Sequence, residues 1–328
     1  MTKMGLTSAA ALAMVLSGFA IDRGEAAAAL SNRAWVSGHG VDQAGCGAPT
    51  SPCRTLQYVH DNIIADGGEI DVLDPAGYGP IAITKGISIV NDGVGTAGVQ
   101  QATSGQNAIT INTSSSAGVT LRGLNIDGLG QGFYGIYLIA SPNLTITHCV
   151  VRHFTNNGIF INPNGANAFT ISDTLVADNG GYGIDILSTP AGTTSGAIVR
   201  TITRNHHASG SLSIPSLAGI AVGSNANSGP SVDVTVVDSV SENNDIGYEA
   251  SAGAISVGLT LRNVTAVNNY YGVYANGYQI MLSHSTLNGN NINVEASNGQ
   301  VWTYGDNNIN FSRSGNDIDG TMHPLVLQ

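Results

Sequence analysis

Apolar and polar residues alternate with a period of two along most of the chain, in runs too short for helices and separated by Gly, Asn and Asp. One set of runs begins Val119-Thr-Leu-Arg-Gly-Leu and continues as Leu144-Thr-Ile-Thr-His-Cys and Phe169-Thr-Ile-Ser-Asp-Thr. Its later members are Val234-Thr-Val-Val-Asp-Ser, Leu259-Thr-Leu-Arg-Asn-Val and Ile280-Met-Leu-Ser-His-Ser. A second set centres on a glycine: Tyr-Gly-Ile-Tyr-Leu at 134–138, Asn-Gly-Ile-Phe-Ile at 157–161 and Tyr-Gly-Ile-Asp-Ile at 182–186. It goes on through Ala-Gly-Ile-Ala-Val at 218–222, Ile-Gly-Tyr-Glu-Ala at 246–250 and Tyr-Gly-Val-Tyr-Ala at 271–275, with Ile292-Asn-Val-Glu-Ala296 as a weaker last copy. The glycines, Gly135, Gly158, Gly183, Gly219, Gly247 and Gly272, step by 23, 25, 36, 28 and 25 residues. Turns rich in Asn and Asp follow the strands, and these residues tolerate left-handed backbone and bond their own turns.

A repeat of about 25 residues made of strand, turn, strand, turn leaves no room for βαβ crossovers and is too short for a propeller blade. It predicts an all-β fold, a right-handed parallel β-helix in which each repeat forms one coil. Roughly nine coils at the strand spacing of about 4.8 Å make a rod on the order of 45 Å long. An open solenoid end needs a cover. Residues 51–65 supply the one helical pattern, with Ser51 as cap, Pro52 in the first turn, and Leu56, Val59 and Ile63 on one face. The chain thus divides into a signal peptide at 1–28, an N-terminal cap segment with its short helix at 29–66, and the β-helix at 67–328.

Residues 1–28 carry Lys3, the apolar run Met4–Ala20 and the small residues Ala26–Ala29, the layout of a secretory signal. The mature chain is expected to be extracellular or periplasmic, without a membrane span. Removing Lys3, Asp22, Arg23 and Glu25 leaves the formal charge at its full-length value of −11. With Lys85 the sole remaining lysine, no basic stripe for nucleic acid can be drawn. Cys46 and Cys53 lie seven apart in a Gly/Pro-rich segment and are expected to pair in an oxidising compartment. Cys149 lies in a strand-like run and reads as a buried hydrophobe.

The segments Trp35-Val-Ser-Gly…Asp42…Cys46…Pro52-Cys-Arg-Thr-Leu-Gln and Gly67-Gly-Glu-Ile-Asp-Val-Leu-Asp-Pro-Ala-Gly-Tyr-Gly resemble secreted bacterial right-handed β-helix proteins of the pectin-lyase-like superfamily. The similarity runs from about residue 34 to 320 and implies the same fold. The superfamily contains lyases, hydrolases, esterases and epimerases of polysaccharides as well as tailspikes and adhesins, so fold does not fix function. Gly38-His-Gly40 matches a short polygalacturonase motif, but its companion motifs are missing. The Asp-Pro-His-Asp motif of alginate epimerases stops at Asp74-Pro75.

In the glycine-centred runs one residue per coil points outward, giving a column of Tyr137, Phe160, Asp185, Ala221, Glu249, Tyr274 and Glu295. Aromatic faces stack on sugar rings and carboxylates accept sugar hydroxyls, so Tyr137, Phe160, Asp185, Glu249, Tyr274 and Glu295 are the candidate substrate-binding residues. Tyr134, Tyr182 and Tyr271 lie nearby. Asp185 and Glu249, on either side of the Ala221 coil, are the weak catalytic candidates for glycoside hydrolysis. Arg122, Arg200 and Arg262 read as equivalent outward positions that a lyase would need. His148 with Asp173, and Asn263 with His284, fall at matching positions that suit polar ladders as well as acid–base work. His206 and His207 lie in the longest insertion, about 187–217. The sequence calls for no cofactor and no metal site. Ca²⁺ is possible as a bridge between the acidic chain and a polyuronate, but no dense Asp cluster identifies a site, with Asp173, Asp178 and Asp238 scattered nearby. The leading expectation is recognition of a polysaccharide or cell-surface glycan. A non-enzymatic surface scaffold or adhesin, and a polysaccharide lyase or glycoside hydrolase, are the alternatives.

Overall fold

In a computed structural model, described here for Met1 and residues 30–189, 192–207, 216–224, 231–251 and 256–326, the chain winds into a parallel β-helix of about nine coils. The segment 1–28, expected to be a signal peptide, lies outside the described residues apart from Met1. Strands stack into three ribbons, and every ladder between described strands is parallel. The first ribbon includes Ile136–Ala140, Ile159–Ile161, Ile184–Ser188, Ala218–Ser224, Ile246–Ser251 and Tyr271–Asn276. The second includes Asn143–Thr147, Asn167–Ser172, Thr194–Val199, Val232–Val237, Val257–Arg262 and Gln279–Ser283. The third is a ten-stranded ladder of short strands such as Val150–Arg152 and Val240–Glu242. The long strand Ile292–Thr303 joins the first two ribbons near the C-terminal end.

Period-two alternation sends one residue of each pair inward, where Ile136, Ile159, Ile184, Ile220, Tyr248 and Val273 form a fully buried column. The second ribbon contributes Leu121, Ile146, Ile171, Ile198, Val236, Leu261 and Leu282 to the same core. Two corners repeat with left-handed backbone. His148, Asp173, Arg200, Asp238, Asn263 and His284 occupy one, with φ between 47° and 54°. His153, Asp178, Asn205, Asn243 and Asn268 occupy the other. Gly123 heads the first of these columns at φ 70°, and a Cβ there would lie 2.2 Å from the carbonyl oxygen of Asn91.

Inside a neighbouring turn, buried amides link coil to coil. The backbone N–H groups of Phe154, His206, Asn244 and Asn269 donate to the Oδ1 atoms of Asn179, Asn244, Asn269 and Asn290 respectively. His206 stands in this asparagine column, its Nδ1 2.8 Å from Asn244 Oδ1 and its Nε2 3.2 Å from the Asn179 amide.

The N-terminal cap differs in detail from the sequence expectation. The helix spans Leu56–Asn62, and its N-cap is Thr55, whose side chain accepts from the Tyr58 N–H. Ser51 is instead bridged to Ala48, and Cys53 to Val36, which holds 51–53 extended. Asp42 fixes the helix entry: its carboxylate accepts from the N–H groups of Arg54 and Thr55 at 2.7 and 3.0 Å and from the Thr55 hydroxyl at 2.8 Å. Leu56 and Val59 are buried against the first coil, and Ile63 packs on it partly buried. Coil stacking begins earlier than residue 67, because Ser31–Val36 already pairs in parallel with Ile64–Val72. The Cys46–Cys53 disulfide is formed, with Cα atoms 5.0 Å apart. Cys149 is free and buried.

Candidate functional site

The glycine-centred strands place the predicted column in strict register. Tyr137 lies beside Phe160, Phe160 beside Asp185, Asp185 beside Ala221, Ala221 beside Glu249, Glu249 beside Tyr274 and Tyr274 beside Glu295. A second column one step before each glycine follows Ala218, Ile246, Tyr271 and Ile292 in register. The two columns meet on one face, where Ala218, Ala221 and Ile246 cluster with Tyr182, Tyr271 and Tyr274.

Aromatic rings gather at two levels of this face. Tyr137 and Phe160 stack at 5.2 Å with planes 9° apart, and Tyr134 tilts against both at 5.2 and 5.1 Å. In the coil next after Glu249, Tyr271 meets Tyr274 at 5.2 Å and Tyr270 edge-on at 4.9 Å. All of Tyr134, Tyr137, Phe160, Tyr271 and Tyr274 are half-buried, which leaves ring surface for contact.

Between the two clusters the surface closes. Asp185, Ala221, Glu249 and Glu295 are only 8%, 3%, 6% and 5% exposed, so the carboxylates are not the open groove positions that alternation alone predicts. Ala218, Ala221 and Ile246 form a small apolar cluster outside the main core, with Tyr182, Tyr271 and Tyr274 packed on it. The outward side chains of neighbouring coils therefore bury one another, an effect invisible in a single strand's pattern.

Burial governs the electrostatics of this centre. Loss of hydration pushes the Asp185 carboxyl up to about 7, opposed by a 3.0 Å hydrogen bond from the Asn157 amide. Burial, and then the charge of Asp185, push Glu249 up to about 7 as well. Ala221 presents only a methyl group between them, and the two acids sense each other across its coil. The Tyr182 hydroxyl is raised by burial and by the charges of Glu249 and Asp185. Glu249 Oε2 is buried without a hydrogen-bond partner among the described residues. Glu295 differs: its Oε1 accepts from the Ser297 N–H at 3.0 Å and from the Ser297 hydroxyl.

Other sequence candidates resolve into structural roles. Arg122 and Arg262 do lie at equivalent ladder positions, but Thr147, Ser172, Val199 and Val237 hold that position in the four coils between them. Arg200 is one residue on, at the left-handed corner, where it grips Asp173 through two hydrogen bonds of 2.7 and 2.8 Å. Arg122 pairs with Asp92 at 2.9 Å. The three arginines therefore make no common site. Asp178 accepts from Asn205 and Asp238 from Asn263, both at 2.6 Å, so these acids serve the corner ladders. His207 meets Asp245 at 3.1 Å, while His206 is sealed in the asparagine column. Asp42, Cys46 and Cys53 cluster, but both sulfurs are spent in the disulfide.

The fold defines a class, the right-handed parallel β-helix proteins. Residues 56–197 match the family described as right handed beta helix region. Among solved structures the chain is similar to pectate lyase Pel9A, at 13% identity and a TM-score of 0.52, with 77% of this chain and 76% of that one covered. It also aligns with a rhamnogalacturonan lyase, at 12% identity and a TM-score of 0.34 over 90% of each chain. At such identity the first likeness is one of fold, and the second is too weak to build on. No curated protein sequence matches the chain.

Proposed function

We propose that this is an exported glycan-recognition protein that seats a polysaccharide on the half-exposed rings of Tyr137, Phe160 and Tyr274, with Asp185, Glu249 and Glu295 buried along the same column. The observation that carries the reading is the pair of half-exposed aromatic clusters, in register on one face, flanking a buried acidic centre. Sugar rings present C–H faces to aromatic side chains and hydroxyls to acceptors, and such a face supplies both in sequence along the rod. Likeness in fold to a pectate lyase supports a polysaccharide partner. A formal charge of −11 disfavours polyuronates. The signal-like N-terminus and the disulfide support export. A glycan array tests the reading: wild type is expected to bind neutral polysaccharides, and Tyr137→Ala combined with Tyr274→Ala to lose them. No binding to any glycan would overturn it.

A second reading, glycoside hydrolysis, is favoured by one specific feature. Burial raises both Asp185 and Glu249, and the charge of Asp185 raises Glu249 further, so these acids keep a proton closer to neutral pH than exposed ones do. One then donates that proton to the glycosidic oxygen as its bond to the anomeric carbon breaks. The other takes a proton from the water that attacks that carbon, yielding two free sugar ends. Incubating bound glycans with wild type and with the Asp185→Asn and Glu249→Gln variants, and assaying new reducing ends, decides it. Product formation unchanged in both variants would exclude these residues.

A further inference from the structure

A cleft lies on the second ribbon, away from the column just described. Its floor follows from register: Asp233, Gly258, Gln279 and Gln300 form one outward row, and Thr235, Thr260, Met281, Trp302 and His323 another. Thr120, Thr145 and Thr170 begin the second row at the other end of the rod, so the change to Met281 and Trp302 is a local feature. Gly258 leaves a recess in the first row, bounded by the side chains of Asp233 and Gln279. A Cβ at Gly258 would lie 2.7 Å from Asp233 Oδ1.

The recess opens into a cavity of about 390 Å³ lined by Gly258, Thr260, Gln279, Met281, Trp302 and Leu325. It adjoins, across Gln279, a second cavity of about 590 Å³ where Asn298 and Gln300 contribute amides. None of the described residues lining either cavity is charged. The Trp302 ring is half-buried and backed by His323 at 4.8 Å, and its Nε1–H has no hydrogen-bond partner among the described residues. A buried indole donor without an acceptor is costly, and amides beside an aromatic platform match a partner that offers both hydroxyls and a C–H face.

We propose that this cleft is a second carbohydrate site, which takes a ring of a neutral oligosaccharide on Trp302 with its hydroxyls on Gln279, Gln300 and Asn298. Uronates are disfavoured, because Asp233 stands at the rim and no cation lines the cleft among the described residues. The site lies on a different ribbon from the Tyr137–Glu295 column and touches it only where the Asn298 side chain reaches the Tyr274 hydroxyl.

Tryptophan fluorescence tests it directly, since the chain contains only 2 Trp. Trp35, the other, sits on the first strand beneath the Arg33 guanidinium. Titration with cellohexaose, mannohexaose and xylohexaose is expected to change the emission for at least one of them. Trp302→Phe should remove that change while keeping the packing on His323. Trp302→Ala and Gln279→Ala should each weaken calorimetric binding about tenfold, with melting curves confirming that the variants fold. Tyr137→Ala with Phe160→Ala, at the aromatic cluster far from Asn298, should leave the Trp302 response in place, so that failure of this site and failure of the column are read separately. No response to any neutral oligomer, a response that persists in Trp302→Phe, or equal binding of hexagalacturonate would each overturn the proposal.

Discussion

Asp185 and Glu249 sit where apolar neighbours favour their neutral forms, and His206 sits where burial holds its ring neutral down to about 4. The two effects have opposite signs. The acids have folded-state values above their unfolded ones, so the native state binds more protons and their contribution is lost as pH rises from about 4 through about 7. Each acts with a slope of up to about 1.4 kcal/mol per pH unit in that window. Chemical denaturation between pH 4.5 and 8 should therefore show wild type losing stability with rising pH, and Asp185→Asn with Glu249→Gln largely removing that loss. For His206 the folded value lies below the unfolded one, so stability is lost as pH falls from about 6.5 through about 4. His206→Asn restores the residue found at Asn179 and Asn244 in the same column. It should fold normally at pH 7 and melt higher than wild type at pH 4.5, as thermal scans at the two pH values would report. A lower melting temperature at both would indicate that the imidazole fills space an amide cannot.

At the scale of elements, the cap is the least repetitive part of the chain and depends most on specific bonds. Its helix has seven residues, too few to persist alone, so Asp42, Thr55 and the disulfide hold it against the first coil. Loop-entropy arithmetic for a seven-residue separation gives about 2–3 kcal/mol for the Cys46–Cys53 link. Replacing both cysteines by serine should cost about that much in urea unfolding. Amide exchange should rise first in Leu56–Asn62, with the central coils still protected. Uniform loss of protection along the rod would contradict a local role for the cap.

Across the described residues, coil contacts are chiefly between neighbours, and inward residues form columns that run the length of the rod. Distant core defects should therefore be independent. Ile70→Ala near the N-terminal end and Leu282→Ala near the C-terminal end should each cost about 2–5 kcal/mol. Their double variant should equal the sum within about 0.5 kcal/mol, measured by urea unfolding. A larger discrepancy would mean that strain spreads along the stack. The same architecture accounts for a chain with 10% charged residues: like charges repeated at one coil position would stand about 5 Å apart, so Thr, Ser and Asn take those positions.

Alternation with a period of two, glycines about one coil apart and Asn/Asp corners are local features, and by themselves they determine the β-helix, its register and the identity of the Tyr137–Glu295 column. Cys46 and Cys53 were legible for the same reason, as neighbours in a turn-rich segment. The helix start was not, because Ser51 and Thr55 are equally good caps and only the bridges at Ser51 and Cys53 exclude the first. Arg200 shows a similar limit, since a shift of one residue moved it from a strand to a corner. What only the tertiary structure decided is how outward residues of adjacent coils cover one another. Alternation separates inside from outside within one strand, whereas the burial of Asp185 and Glu249, the free indole N–H of Trp302 and the recess at Gly258 arise from side chains one or two coils away.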